Sequence, residues 1–517
     1  MSTRICLLGL TIGLCFIGRT HAEPRVTRII DDEINAKLRA DSIVSAGRAD
    51  ESTLVRRIYL DLLGRPPTTS EFEAFVDDSA GDKVHRLIVR LRTYPETVVH
   101  WRRVIAGWFQ VEANRSANHP LLEYLARAVG ENRGWDWIAR DLLNPNLKVP
   151  RQRGASSYLS HFLIAEDKQA GREAATVAVA SALFGAQLQC ARCHDHPTVP
   201  KWTKAHFDGL RAFFDNTEIW GSKLDATTEL TERPPKSKTQ TQAMFLDGKK
   251  FDLADSPRAK LANYVSRPDA THLKYAVVNR VWKQLMGRGL VEPVDMIHDE
   301  NPSSHPKLFR YLADDFAANE FNFDRLISSI MHSEAYLRSA RWTGPADQRP
   351  AYSTYAIARL RPLSGHQVAW SIAVSTEYMQ RIRFDPRTEG FDLPRGKGLW
   401  PAFRYKWEAS EEYQRLADVF RETGAASSAA HATYLSFDPF VTKVLESANG
   451  SLVANLVAEK DDTAMARLAY FAILNRSPNS NEIEVISKFM KSAKSRTEGC
   501  QDIVWALMSL AEFRFNH

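Results

Sequence analysis

Arg56-Arg57-Ile58-Tyr59-Leu60-Asp61-Leu62-Leu63-Gly64-Arg65-Pro66-Pro67-Thr68-Thr69-Ser70-Glu71 has a counterpart near the other end of the chain. It is Arg467-Leu468-Ala469-Tyr470-Phe471-Ala472-Ile473-Leu474-Asn475-Arg476-Ser477-Pro478-Asn479-Ser480-Asn481-Glu482. The two align without gaps at a constant offset of 411 residues. Each copy reads as a helix, a proline-containing turn and a second helix. Thr68 or Asn479 stands where it caps that second helix. Glu71 or Glu482, three residues on, completes a capping box. Phe72 and Phe75 in one copy match Ile483 and Ile486 in the other. Two copies are too few for a solenoid, so the unit reads as a packing element.

Outward from this unit the helical period continues. Val84 to Leu91, Ala174 to Leu188, Lys274 to Leu285 and Phe323 to Met331 space their apolar residues for one face of a helix. Val84, Leu87, Ile88 and Leu91 form the clearest stripe. Alternating strands are rare. Met244-Phe245-Leu246-Asp247-Gly248-Lys249-Lys250-Phe251 places Asp-Gly between apolar residues, which predicts a hairpin. Gly221 to Gln242 is rich in Thr, Lys, Glu and Pro and reads as a linker. After it, Ser256-Pro257 opens a helix that buries Leu261, Tyr264 and Val265.

The expected fold is mainly α, with two helical domains and a short β-hairpin near the linker between them. The boundaries read as a signal peptide over 1–22, a first domain over 23–220, a linker with hairpin over 221–255, and a second domain over 256–517. The second domain ends in the repeat of the N-terminal unit.

The 517 residues are 44% hydrophobic and 25% charged, enough for two or three apolar cores. Formal net charge is +6, and +4 once Arg4 and Arg19 leave with the first 22 residues. That is small for the length, and the two signs are interspersed. A solvated mixed surface is expected, and no nucleic-acid groove. Arg4, the apolar run Ile5 to Ile17 and Thr20-His21-Ala22 form a secretory signal pattern. Leu14 is too bulky before Cys15 for a lipoprotein cut. No later run reaches about 18 apolar residues, so no membrane span is expected after signal removal. The expected location is the periplasm or cell surface of a Gram-negative-type bacterium.

Five cysteines are present. Cys6 and Cys15 fall in the signal, which leaves Cys190, Cys193 and Cys500. Three thiols make no disulfide framework for a chain this long. Two of them lie in Cys190-Ala191-Arg192-Cys193-His194, a C-x-x-C-H sequence whose chance occurrence here is on the order of one in a thousand. Covalent attachment of haem c needs two thiols and one imidazole on one side of the backbone. On a helix, the spacing i, i+3, i+4 places Cys190, Cys193 and His194 on one face, with His194 as proximal iron ligand. Two other readings stay open. Cys190 and Cys193 with His196 and a more distant histidine suit zinc or iron. Cys190 and Cys193 also suit a redox disulfide. For the far side of a haem iron, His161, His206, His298, His305 and Met244 are the candidates.

In the second half, Arg280 and Arg288 are placed for an anionic group, and Asp295 and His298 for acid–base work. The plainer reading takes Gly287-Arg288-Gly289 as a helix-ending turn and Arg280 as a partner of a carboxylate. No Walker loop, Gly-x-Ser-x-Gly or His-Glu-x-x-His accompanies them.

Leu183-Phe184-Gly185-Ala186-Gln187-Leu188-Gln189 before the motif, His194-Asp195-His196-Pro197 within it, and Trp202 and Ala212-Phe213-Phe214 after it resemble a planctomycete cytochrome-like domain. That domain is domain of unknown function fifteen-forty-nine. Arg57 to Pro67 matches its start. Val278-Asn279-Arg280-Val281-Trp282, Gly287 to Pro293 and Asn301-Pro302-Ser303-Ser304-His305-Pro306 are similar to its usual companion, domain of unknown function fifteen-fifty-three. Trp505 to Met508 and Glu512 to His517 are similar to its end. The resemblance implies secreted bacterial proteins, often encoded near sulfatase-like proteins, and supplies no reaction. Relatives often carry a further N-terminal cytochrome module; here Glu23 leads into the first domain, so that module is expected to be absent. Relatives also tend to have Phe-Asp after His-Pro, where this chain has Thr198-Val199-Pro200-Lys201-Trp202.

Three functions follow as expectations. The first is an exported c-type haem protein serving redox or electron transfer with an unknown redox partner. The second is a non-haem metal protein or enzyme acting on exported polysaccharide. The third is a scaffold that binds glycan or protein.

Overall fold

The structure is a computed structural model that describes residues 24–110, 119–220, 228–233, 242–381, 407–408, 410–422 and 428–517. The signal pattern over 1–22 and most of the linker lie outside the described residues. The fold is mainly α, with small antiparallel two-stranded sheets. None of the described helices is long and apolar enough to cross a membrane.

The repeated stretch forms two matching units. Helices Glu51–Leu62 and Thr69–Val76 make the first, and helices Asp462–Leu474 and Ser480–Ser492 the second. Both capping boxes are present: Thr68 with Glu71, and Asn479 with Glu482. The turn before each cap passes through a left-handed residue, Gly64 at φ +69° and Asn475 at φ +56°. Glycine and asparagine are the residues that reach this region at least cost.

The two units share their ion pairs as well. Arg65 bonds Glu71 at 2.7 Å and lies over the Tyr59 ring; Arg476 bonds Glu482 at 2.8 Å and lies over the Tyr470 ring. The two units also touch each other. Phe72 meets Phe471 edge to face at 5.1 Å, and Arg56 donates to Asn475 Oδ1 at 2.8 Å.

The other expected helices form, over Lys83–Arg92, Lys168–Phe184, Thr271–Met286, Phe323–Met331 and Pro257–Val265. Val84, Leu87, Ile88 and Leu91 are all buried, each worth roughly 1.5–3 kcal/mol against exposure. The hairpin pairs Ala243–Met244 with Lys250–Phe251, and Gly248 turns it at φ +82°.

One apolar core gathers side chains from Val26 to Ala356, and a second runs from Leu363 to Phe513. The packing division therefore falls near residue 360, while the compositional break lies at 221–255. Helices Pro257–Val265 and Thr271–Met286 pack on Trp135–Leu143 and Lys168–Phe184, which draws the start of the second half into the first core.

Helix Glu51–Leu62 ties the cores together. Leu60 belongs to the second one. Asp61, nearly fully buried, accepts from both Arg361 guanidinium nitrogens at 2.8 and 2.7 Å, from Tyr336 Oη at 2.8 Å and from Asn516 Nδ2 at 2.9 Å. Burial acts to lower the Arg361 pKa, but the Asp61 carboxylate outweighs it and holds the guanidinium above its ordinary value. Asp61→Asn leaves Arg361 charged and uncompensated in the interior. Urea unfolding should show a loss of roughly 3–5 kcal/mol; a loss under about 1 kcal/mol, the size of an exposed pair, would show that Asp61 does not hold the halves together.

Burial also pushes His332 down to about 4. In the unfolded chain a histidine takes up its proton near pH 6.5. The stabilising contribution of neutral His332 is therefore complete above pH 6.5 and disappears as pH falls through 4. His332→Gln should show a smaller loss of stability between pH 7 and pH 5 than the wild type; an equal loss would show that His332 does not contribute.

Candidate functional site

The C-x-x-C-H stretch follows helix Lys168–Phe184. Asp167 caps the start of that helix by accepting from the Gln169 and Ala170 amides at 2.9 and 3.1 Å. Its small residues Ala175, Ala178 and Ala182 are buried and allow close packing. The helix ends at Gly185, at φ +64°. A Cβ there would stand 2.6 Å from Ile297 Cδ1, so a larger residue would have to push that side chain aside as well as adopt the left-handed conformation that favours glycine. The helix was expected to run on to Leu188; the left-handed Gly185 stops it at Phe184.

The motif consequently lies on a single tight turn, Cys190–Arg192, followed by Cys193, and not on an α-helix. The Cys193 amide donates to the Cys190 carbonyl at 3.4 Å. Ala191 is fully buried and anchors the turn, while Cys190, Cys193 and His194 are exposed. Both thiols are free. His194 Nδ1 meets its neighbour's carbonyl, Asp195 O, at 2.7 Å. A carbonyl only accepts, so this contact fixes the proton on Nδ1 and leaves the Nε2 lone pair available to a metal. Asp195 in turn accepts from the Lys204 amide at 2.8 Å, which fastens the motif to helix Lys204–Arg211. These features fit the chemistry of haem attachment: two accessible thiols and an imidazole with its tautomer set.

His196 takes a different course. It is buried, its amide donates to Trp202 O at 2.8 Å, and its Nδ1 accepts from the Thr198 amide at 3.3 Å. Its ring meets Trp202 edge-on at 5.4 Å, and Trp202 meets His298 the same way at 5.2 Å. Burial, then the neighbouring His298 and His194, lowers the His196 pKa. Among the described residues no three His, Cys, Asp or Glu side chains converge to hold a metal ion. The set Cys190, Cys193 and His196 is thus not gathered into a metal cage.

Of the candidate sixth ligands, His298 packs on Trp202 beside His196, and His206 lies on helix Lys204–Arg211, which packs against the motif turn. His298 Nδ1 meets Glu300 at 3.1 Å, and its Nε2 is buried without a hydrogen-bond partner. His206 bonds Thr203 at 2.8 Å, and His161 packs on Phe162. His305 is buried against Tyr355, and Met244 lies on the hairpin. The proximity of His298 was hidden from sequence, because it depends on one long-range connection. The Ile297 amide donates to Gly185 O at 3.0 Å, and Ala186 bridges to Met296.

The polar cluster of the second half is largely architectural. Asn279 Nδ2 donates to the Val291 and Val294 carbonyls at 2.9 and 3.1 Å, and Gly287 ends the helix at φ +75°. Arg280 was expected to meet a carboxylate; it donates instead to Ser181 O at 2.7 Å and Ser181 Oγ at 3.2 Å, while Ser181 Oγ donates to Asp295 at 2.6 Å.

Residues 29–219 match the family model PSCyt2, a protein of unknown function (DUF1549), and residues 257–490 match PSD1, a protein of unknown function (DUF1553). No curated protein and no solved structure matches the chain.

Exposure separates the thiols. In haem-free protein lacking residues 1–22, a thiol reagent should titrate two groups, Cys190 and Cys193, under native conditions. The third, fully buried Cys500, should react only in denaturant. Rapid native reaction of all three would contradict this arrangement.

Proposed function

This chain belongs to the family in which a DUF1549 unit precedes a DUF1553 unit, and on that premise we propose that it is an exported redox protein carrying one covalent haem c. The observation that carries the reading is the pairing of two exposed free thiols with His194, whose Nδ1 is held by Asp195 O. Cys190 and Cys193 would hold the group through thioether links, S–H adding across each vinyl C=C, and His194 Nε2 would ligate the iron. Bound there, the haem supplies one-electron transfer at iron.

The chain's own residues do the positioning. Buried Ala191 fixes the turn, Asp195 ties it to the next helix, and Trp202 shields the side facing His196 and His298. The exposed turn suits contact with another exported redox protein. Export itself rests on the pattern of the first 22 residues.

Protein produced in a periplasm with haem-maturation machinery should show an intense Soret band, a pyridine haemochrome spectrum and a haem-stained polypeptide after denaturation. Cys190→Ala and Cys193→Ala should each lose a thioether link, and the double variant all covalent haem. A folded, haem-free, zinc-loaded wild type would overturn the proposal.

A further inference from the structure

The largest of the described cavities, about 690 Å³, lies away from the C-x-x-C-H turn, between helices Pro95–Trp108, Thr271–Met286 and the start of Gly365–Ser375. Its volume is that of a small-molecule site. Its lining is strongly cationic. Arg103, Arg280, Lys283 and Arg361 all border it, Lys283 pairs with Glu292 at 3.2 Å, and Asp61 is the one carboxylate among its described lining residues. Asp61 is already committed to Arg361.

One of these cations, Arg280, is buried with no carboxylate of its own among the described residues. Arg280 is 8% exposed, and its bonds go to a serine carbonyl and hydroxyl; Asp295 stands behind that serine, and Arg280 Nε has no hydrogen-bond partner. Arg103 is 6% exposed. It bonds Glu408 through Nη2 at 2.7 Å and Nε at 3.2 Å and so has a carboxylate partner, which Arg280 lacks among the described residues. A buried guanidinium without its own carboxylate is costly. Arginine's planar fork suits oxyanions. The positive end of helix Gly365–Ser375 adds to the same field. Trp108, Pro362, Leu363 and Phe420 also line it and give apolar faces for the body of a ligand.

We infer that this cavity binds a small organic anion, its oxyanion taken by Arg280 and its ring or aliphatic body set against Trp108 and Phe420. The oxyanion is either a carboxylate or a sulfate or phosphate group, which share the same recognition by arginine. This site is independent of the haem reading.

The test uses the full mature chain and titrates galacturonate, inorganic sulfate and inorganic phosphate by calorimetry at constant ionic strength, with galactose and chloride as controls. Saturable binding of at least one oxyanion is expected, with none of galactose or chloride. Tighter galacturonate than sulfate or phosphate assigns a carboxylate ligand, and the reverse a sulfate or phosphate ester. Arg280→Met should weaken binding by at least about tenfold. Should that variant lose its helical circular dichroism, Arg280→Lys and Lys283→Met decide: a comparable loss in either supports the site, and unchanged affinity in both overturns it. Failure of every oxyanion to bind saturably, or binding that Arg280→Met leaves unchanged, also overturns it.

Discussion

The fold closes on a buried carboxylate. Asp61 sits on a helix buried from Leu54 to Leu62, and its partners come from 275, 300 and 455 residues away. Such a charge is tolerable only when those partners are in place. The same helix sends Arg57 to the carbonyls of Tyr336, Arg338 and His517, and Arg56 to those of Ile473 and Phe513. Three successive demands on one helix thus require the last residues of the chain to pack beside its beginning. Apolar side chains would fill the same volume with less directional constraint. The charged set instead specifies one arrangement of the halves.

The repeat shows which parts of this could be read in advance. The capping boxes were legible because their partners are three residues apart. The left-handed Gly64 and Asn475 follow from the same local logic. The third members of the ion-pair sets were not legible. Arg65 reaches Glu96 at 3.7 Å and Arg476 reaches Glu512 at 2.6 Å, across sequence gaps with no fixed spacing. Nor was the packing of one unit on the other legible, or the division of the cores near residue 360. Both depend on tertiary contacts that a helical period does not encode.

At the site the sequence singled out Cys190, Cys193 and His194 and misjudged the backbone that carries them. Spacing i, i+3, i+4 fits an α-helix, but Gly185 lies five residues upstream and stops one. A single tight turn still leaves Cys190, Cys193 and His194 exposed together, because Ala191 alone turns inward. His196 looked like a neighbour of the thiols in sequence. In space it belongs to Trp202 and His298, since the chain doubles back through the bond from the His196 amide to Trp202 O.

One segment, Val294 to His298, spans the distance between the anion cavity and the motif. Val294 lines the cavity. Asp295 accepts from Ser181, which also receives Arg280. Met296 and Ile297 are zipped to Ala186 and Gly185, and His298 abuts Trp202. Contiguity alone is not coupling; a ligand shifts a distant group only by binding two arrangements differently. Arg280 is the residue where such a difference would arise. An anion that drew the Arg280 guanidinium off Ser181 would make that difference. Losing that bond would leave Asp295 as the main hold on Ser181, at the point where helix Lys168–Phe184 and the 294–298 segment meet just before the C-x-x-C-H turn.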